Sequence, residues 1–254
     1  MQEFAERRCH LDRNTDNTWM RDALQRGDVA AVKQRVVDDP THLSSRDCLG
    51  RTPLLTAIGS GNAELVEFML KHGADPNVEM DEGYTCLLLA VASDGAESLR
   101  ISSALIAAGA DLHCTSTSGR MPLHMTAAWG EVEKACLLLE AGADVNGLTS
   151  DDQLAPLMEA ARCGPAEMAQ VLLERGADPT LRDGIVGRNA LDLAVDAQKG
   201  RGPESHESIR TEAEETDLGA ALAEADQLAR EGNHERVIRV LREYAGSVAA
   251  AEPE

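Results

Sequence analysis

The stretch Gly119–Asn146, GRMPLHMTAAWGEVEKACLLLEAGADVN, decides how the rest of the chain is read. Pro122 suits a first helical position, where its missing N–H costs nothing. Leu123, Ala127 and Ala128 fall on or near one helical face, and the small alanines let a neighbouring helix approach closely. Gly130 ends this short helix, because glycine takes positive φ without a Cβ penalty. Glu131 and Glu133 open the next helix, where carboxylates suit the dipole. Val132, Ala135, Cys136, Leu138 and Leu139 continue an apolar face at helical spacing. Gly142 is the stop, and Ala143, Asp144 and Asn146 form the turn. Two such helices alone have too little apolar surface on any one face to fold, so function belongs to an array.

Working outward, the same grammar recurs. Gly73, Gly109, Gly142 and Gly176 are each followed by Ala-Asp, at spacings of 36, 33 and 34 residues. Helix starts are TPL at 52–54, TCL at 85–87, MPL at 121–123, APL at 155–157 and NAL at 189–191. Mid-repeat glycines stand at 27, 61, 95, 130 and 164. Three landmarks on one period define a repeat protein. The chain closely resembles the ankyrin repeat family. MPLH and TPLL match that family's first anchor; GADPN, GADLH, GADVN and GADPT match its second. The resemblance covers roughly Trp19 to Ala197 and implies an all-α ankyrin-repeat solenoid. Its units would be stacked helix-turn-helix pairs with short β-hairpin or turn fingers and helical caps.

The expected layout has a flexible arm at 1–16 and repeats over 17–197, with Met20–Pro40 as a capping helix pair whose outer face meets water. Full repeats follow at about 47–79, 80–115, 116–149, 150–182 and from 183. The second carries three extra residues near Asp94–Ser103, predicting a longer reversal between its helices and a local bulge or a longer helix. The fourth has Gln153 where its turn calls for glycine. A polar loop or disordered insert is expected at 198–216. A carboxy-terminal helical hairpin cap should follow at 217–247, broken at Gly232 and carrying Val237, Ile238, Val240 and Leu241, with a tail at 248–254.

Composition bounds the function. Of 254 residues, 24 are Lys or Arg and 44 Asp or Glu, a net charge of −20. That charge repels phosphates and disfavours nucleic acid or an anionic membrane. It suits a basic protein partner, and it equally serves plain solubility. The six cysteines, Cys9, Cys48, Cys86, Cys114, Cys136 and Cys163, include no CxxC pair and read as reduced thiols of a cytoplasmic protein. No amino-terminal leader pattern and no apolar run of membrane length is present in this sequence. Of the seven histidines, His124 lies in the MPLH anchor, where the resemblance implies a structural tie, and His72 lies in a last helical turn. His10 beside Cys9 lacks a second pair at metal spacing, so no zinc site and no cofactor is expected. No GxSxG, Walker loop, HExxH or dinucleotide fingerprint is present, and no catalytic residue is assigned.

The resemblance implies that fingers and inner-helix ends line a concave face that holds a protein partner. By position these are Leu49, Arg51, Asp81, Glu82, Tyr84, Ser118, Arg120, Ala128, Trp129, Asp151, Asp152, Leu154, Arg162, Cys163, Ile185, Val186 and Arg188. Trp129 has two readings: it projects into the groove, or it packs against a neighbouring finger. Arg120 and Arg162 also fit as salt-bridge partners of local acids, and Asp151 with Asp152 as a solvated pair. The expected function is a non-catalytic, monomeric adaptor. The rival is an acidic, immunity-type inhibitor of a basic toxin or enzyme, motivated by charge complementarity.

Overall fold

The computed structural model describes residues 18–26, 28–47, 50–80, 83–199 and 232–245. The arm at 1–16, the insert from 200 to 216, the first helix of the expected cap and the tail lie outside the described residues. The chain forms two compact units, Met1–Met125 with Glu140–Ala143, and Thr126–Leu139 with Asp144–Glu254. Both are built from helix pairs, and the one β feature among the described residues is an isolated antiparallel bridge, Glu79 to Thr85.

In the first unit α1 (Thr18–Gln25) and α2 (Val29–Asp38) form the amino-terminal pair, followed by a 3-10 turn at Pro40–Ser44. Inner helix α3 (Pro53–Gly59) pairs with outer helix α4 (Ala63–Lys71), and α5 (Cys86–Val91) with α6 (Ser98–Ala107). Helix α7 (Pro122–Trp129) starts at the expected proline and runs into the second unit, followed by α8 (Val132–Glu140). Then come α9 (Pro156–Cys163), α10 (Ala166–Glu174), α11 (Ala190–Gln198) and, last among the described residues, α12 over 232–245. Inner helices are buried nearly all round: Leu54, Leu55, Ala57 and Ile58 are each at most 1% exposed. Outer helices bury one stripe, such as Leu65, Val66 and Met69 on α4. Each such aliphatic side chain contributes roughly 1.5–3 kcal/mol. Aliphatic stacking therefore replaces the aromatic core that this composition lacks. His124 is fully buried.

The Gly-Ala-Asp stop is a local hydrogen-bond device. Glycines 73, 109, 142 and 176 take φ near +90°, and the alanine N–H then returns to the helix, as in Ala74 to the Met69 carbonyl at 3.0 Å. The aspartate carboxylate next accepts the amide two residues on, in Asp75–Asn77, Asp111–His113, Asp144–Asn146 and Asp178–Thr180, at 2.8–2.9 Å. Asn77 and Asn146 then bridge to the following repeat. The Asn146 side chain donates to the Gly176 carbonyl (3.2 Å) and accepts the Asp178 amide (2.8 Å). Asn77 does the same with Gly109 and Asp111.

Two irregular repeats resolve differently. In the second, the reversal between α5 and α6 runs from Ala92 to Glu97, against two residues between α9 and α10, and α6 is one residue longer than α4. In the fifth, inner helix α11 ends at Gln198, and the next described helix is α12. Asn233, one residue after Gly232, accepts the Ala166 amide (3.0 Å) and donates to the Gly164 carbonyl (2.8 Å). Pro165, one residue after Gly164, occupies the matching place against Gly130. Helix α12 buries Val237, Ile238 and Leu241, and its GNHERVIRVL parallels GNAELVEFML of α4. Helix α12 thus stands as the outer helix of the fifth repeat, separated in sequence from its inner helix. Gln198 donates to Glu235 at 3.5 Å, so the chain returns beside the point it left.

Candidate functional site: finger tips and inner-helix ends

Five fingers precede the inner helices, and each closes by one backbone hydrogen bond at its base. The pairs are Asp47–Arg51, Met80–Tyr84, Ser116–Arg120, Thr149–Leu154 and Asp183–Arg188, with N–H to O=C distances of 2.8–3.0 Å. In four of them the first residue has a side-chain oxygen that accepts the last residue's amide: Asp47, Ser116, Thr149 and Asp183. Met80 has no such oxygen, and its finger carries the β-bridge instead. Each turn needs one residue at positive φ. Glycine supplies it in four fingers and Gln153, at φ 51°, in the fourth, where the sequence had marked the missing glycine.

This chemistry sorts the expected binding residues. Arg51 is bound by Asp47, whose side chain is 8% exposed, at 2.8 Å. Arg188 is bound by Asp183 at 3.0 Å and Asp196 at 3.5 Å. Both guanidiniums thus brace their own fingers. Arg162 pairs at 2.6 Å with Glu159, a fully buried carboxylate one helical turn back. Burial alone would lower the Arg162 pKa, but attraction to Glu159 outweighs it and holds the group above its ordinary value. Leu154 is a correction: it was expected on the groove and is buried, 6% exposed, because its backbone closes the finger base and its side chain turns inward. Leu49, Asp81 and Glu82 lie outside the described residues.

The remaining expected residues face outward to differing degrees. Tyr84, Arg120 and Ala128 are half-buried, and Ser118 is exposed with its hydroxyl 2.9 Å from that of Ser116. Trp129 ends α7 and is 54% exposed; Ile185 and Val186 at the fifth tip are 64% and 70% exposed. Asp151 and Cys163 are exposed and Asp152 is half-buried. Within the second unit Trp129, Arg162, the acidic fourth tip and the apolar fifth tip are therefore all surface features.

A surface the sequence reading missed lies in the first unit. A cavity of about 430 Å³ is lined by Leu24, Arg51, Leu55, Thr56, Gly59, Ser60, Met80 and Leu89. Gly59 and Ser60 sit two places and one place before the mid-repeat Gly61, the positions that Ala128 and Trp129 hold before Gly130. Applying the inner-helix rule to the first repeat as well as the third and fourth would have found them. Chemistry of other kinds is sparse. Among the described residues no group of three or more His, Cys, Asp or Glu could hold a metal ion, and no helix is long and apolar enough to cross a membrane. Burial pushes the Cys86 thiol up to about 12 and raises Cys114.

Closed fingers, buried inner helices and asparagine bridges from one repeat to the next define a helical repeat protein. A family model described as ankyrin repeats (3 copies) matches residues 19–112 and 92–183, and the chain belongs to the ankyrin repeat family. Repeats of this family are protein–protein interaction modules. The chain is 30% identical to an ankyrin repeat protein of Rickettsia felis over 119 residues, 47% of this chain and 38% of that one. It is 33% identical to the 2-5A-dependent ribonuclease of Mus musculus over 75 residues, 30% of this chain and 10% of that one. The chain thus spans a minor part of these relatives. A crystal structure of an ankyrin repeat protein superposes with a TM-score of 0.68 at 22% identity, covering 89% of this chain and 96% of that one. That likeness concerns the fold. The family match ends at residue 183, where the split fifth repeat begins.

Proposed function

We propose that this chain is a non-catalytic adaptor that holds a protein partner on its finger tips and inner-helix ends. The supporting observation is where folding leaves large apolar side chains uncovered. Trp129, Ile185 and Val186 are 54–70% exposed, and all three sit at a finger tip or an inner-helix end. The other exposed large apolar residues among those described are Val37 and Leu99, on outer helices, and Leu148, just before the fourth finger; single surface apolar residues of this kind are common. Tryptophan is also among the residue types that most often dominate binding energy.

The test compares wild type with Trp129→Ala as bait in co-precipitation, with circular dichroism and melting temperature as fold controls. A partner lost by the variant at unchanged helicity supports the reading. A partner retained by Trp129→Ala and also by an Ile185→Ser, Val186→Ser double variant would move the interaction to the outer helices.

A second reading, an acidic inhibitor of a basic enzyme or toxin, draws on the net charge of −20. It expects an association rate that falls steeply with salt. A salt-insensitive complex would count against it.

A further inference from the structure

We infer that the tips of the fourth and fifth fingers act as one rigid surface that docks a basic, apolar-faced peptide segment of the partner. The inference rests on the reading above only in taking the partner to be a protein.

The two tips are clasped. Gly184 donates its N–H to the Asp152 carbonyl at 2.8 Å. A Cβ at Gly184 would lie 3.2 Å from Gln153 Cγ and 3.4 Å from the Asp152 oxygen, so the tips are in van der Waals contact. Each finger is also fixed internally. Thr149 holds both the Leu154 carbonyl and the Leu154 amide. One oxygen of the Asp183 carboxylate accepts the amides of Ile185, Val186, Gly187 and Arg188, at 2.8–3.3 Å. The other holds the Arg188 guanidinium at 3.0 Å. The Asp183 side chain is 1% exposed, so its charge is spent inside the finger.

A segment tied down this closely still presents Ile185 and Val186 to water. Their ordering entropy is already spent, which is what a preorganised apolar anchor needs. Beside them, the carboxylates of Asp151 and Asp152 make no hydrogen bond or close ion pair among the described residues, and the charge of Asp152 also helps to hold the Arg162 pKa up. The nearby cations are committed: Arg162 to Glu159, Arg188 to Asp183 and Asp196, and Arg182 to the Gly187 carbonyl at 2.6 Å. An apolar pair flanked by two open carboxylates complements an apolar side chain with lysine or arginine a few residues away. Neutral apolar segments would leave the carboxylates partly desolvated without a partner.

The test is selection of a phage-displayed random dodecamer library on the full chain, with enriched peptides then measured in solution. The expected result is enrichment of Lys or Arg near a large apolar residue. Binding should fall at least tenfold on an Ile185→Ser, Val186→Ser double variant and several-fold on Asp151→Asn, Asp152→Asn, whose salt dependence should also flatten. Unchanged melting temperatures confirm that the variants fold. Peptides that are neutral or acidic, that bind the variants as well as wild type, or that fail to enrich at all would overturn the inference. So would a self-association of the chain abolished by the Ile185→Ser, Val186→Ser change, which would assign the surface to a second copy. Peptides lost by Trp129→Ala but kept by the tip variants would sink this inference and leave the adaptor reading standing.

Discussion

Gly164 and Gly95 carry the same landmark in the repeat, yet they sit in opposite environments. A Cβ at Gly164 would lie 2.5 Å from the Ala127 carbonyl oxygen and 2.9 Å from Ala160 Cα, both backbone, whereas a Cβ at Gly95 meets nothing within 4 Å. Gly164→Ala should therefore destabilise by about 2–3 kcal/mol, as overpacking does. Gly95→Ala should be neutral or slightly stabilising, because it stiffens the unfolded chain. Denaturant midpoints of the two variants decide the point, and equal midpoints would contradict the packing described. Asp183 supplies a pH signature. Burial opposes its charge, but the amides of Val186, Arg188 and Gly187 and the Arg188 guanidinium outweigh that, and its pKa falls to about 2. A depressed carboxylate stabilises above its unfolded value near 3.8. That contribution, about 2 kcal/mol, is lost as pH falls towards 2. Acid titration of stability should show a shallower loss between pH 4 and 2 in Asp183→Ala than in wild type. The sequence showed the glycine period and the aspartate. It did not show which glycine is crowded or that five donors converge on one carboxylate, since both depend on neighbours across the repeat.

The fingers and stops are the elements most fully written in local sequence. Gly-Ala-Asp predicted a stop and a turn, and Gln153 marked an irregular turn that the backbone realises at positive φ. Arg51 and Arg188 at finger ends were read as partner contacts because family position was the only guide. The acceptor at the finger's first residue, Asp47 or Asp183, was the signal that would have assigned Arg51 and Arg188 to bracing. Leu154 was misplaced for a related reason: period locates a residue along the finger but not the side on which its side chain turns. The asparagine bridge carries its own prediction. Asn146→Ala removes two bonds to the next repeat and leaves the Asp178 amide and Gly176 carbonyl without that partner. A loss of about 1–3 kcal/mol is expected, read as a lower melting temperature. No change would mean that water replaces the side chain at no cost.

At the scale of the molecule, the repeat count was legible up to the point where the period breaks. Helix α12 was expected as half of a separate hairpin cap, paired across Gly232 with a helix from 217 to 231 that lies outside the described residues. Its Asn233 clasp on Gly164 and Ala166 shows it completing the fifth repeat. Replacing 200–231 with a three-residue linker should preserve the helical signal and raise stability. Shortening the closed loop about tenfold recovers roughly 2 kcal/mol of closure entropy. Calorimetry on the deletion checks this, and a chain that loses α12 would show that the segment helps to hold it. Partner binding measured on the same deletion separates a spacer from a contact.

The clasp at Gly164 also sets an order of events. Other helix pairs close across a few residues, but the last must search across a long excursion before α12 meets α11, so the fifth repeat should form after the fourth and open before it. Amide hydrogen exchange should accordingly run faster in α12 than in α10, with Val237 and Leu241 losing protection while Leu172 keeps it. Equal protection in the two helices would mean that they open as one cooperative unit. The fifth finger is anchored by its own aspartate rather than by α12, so this opening would leave the exposed Ile185–Val186 tip in place.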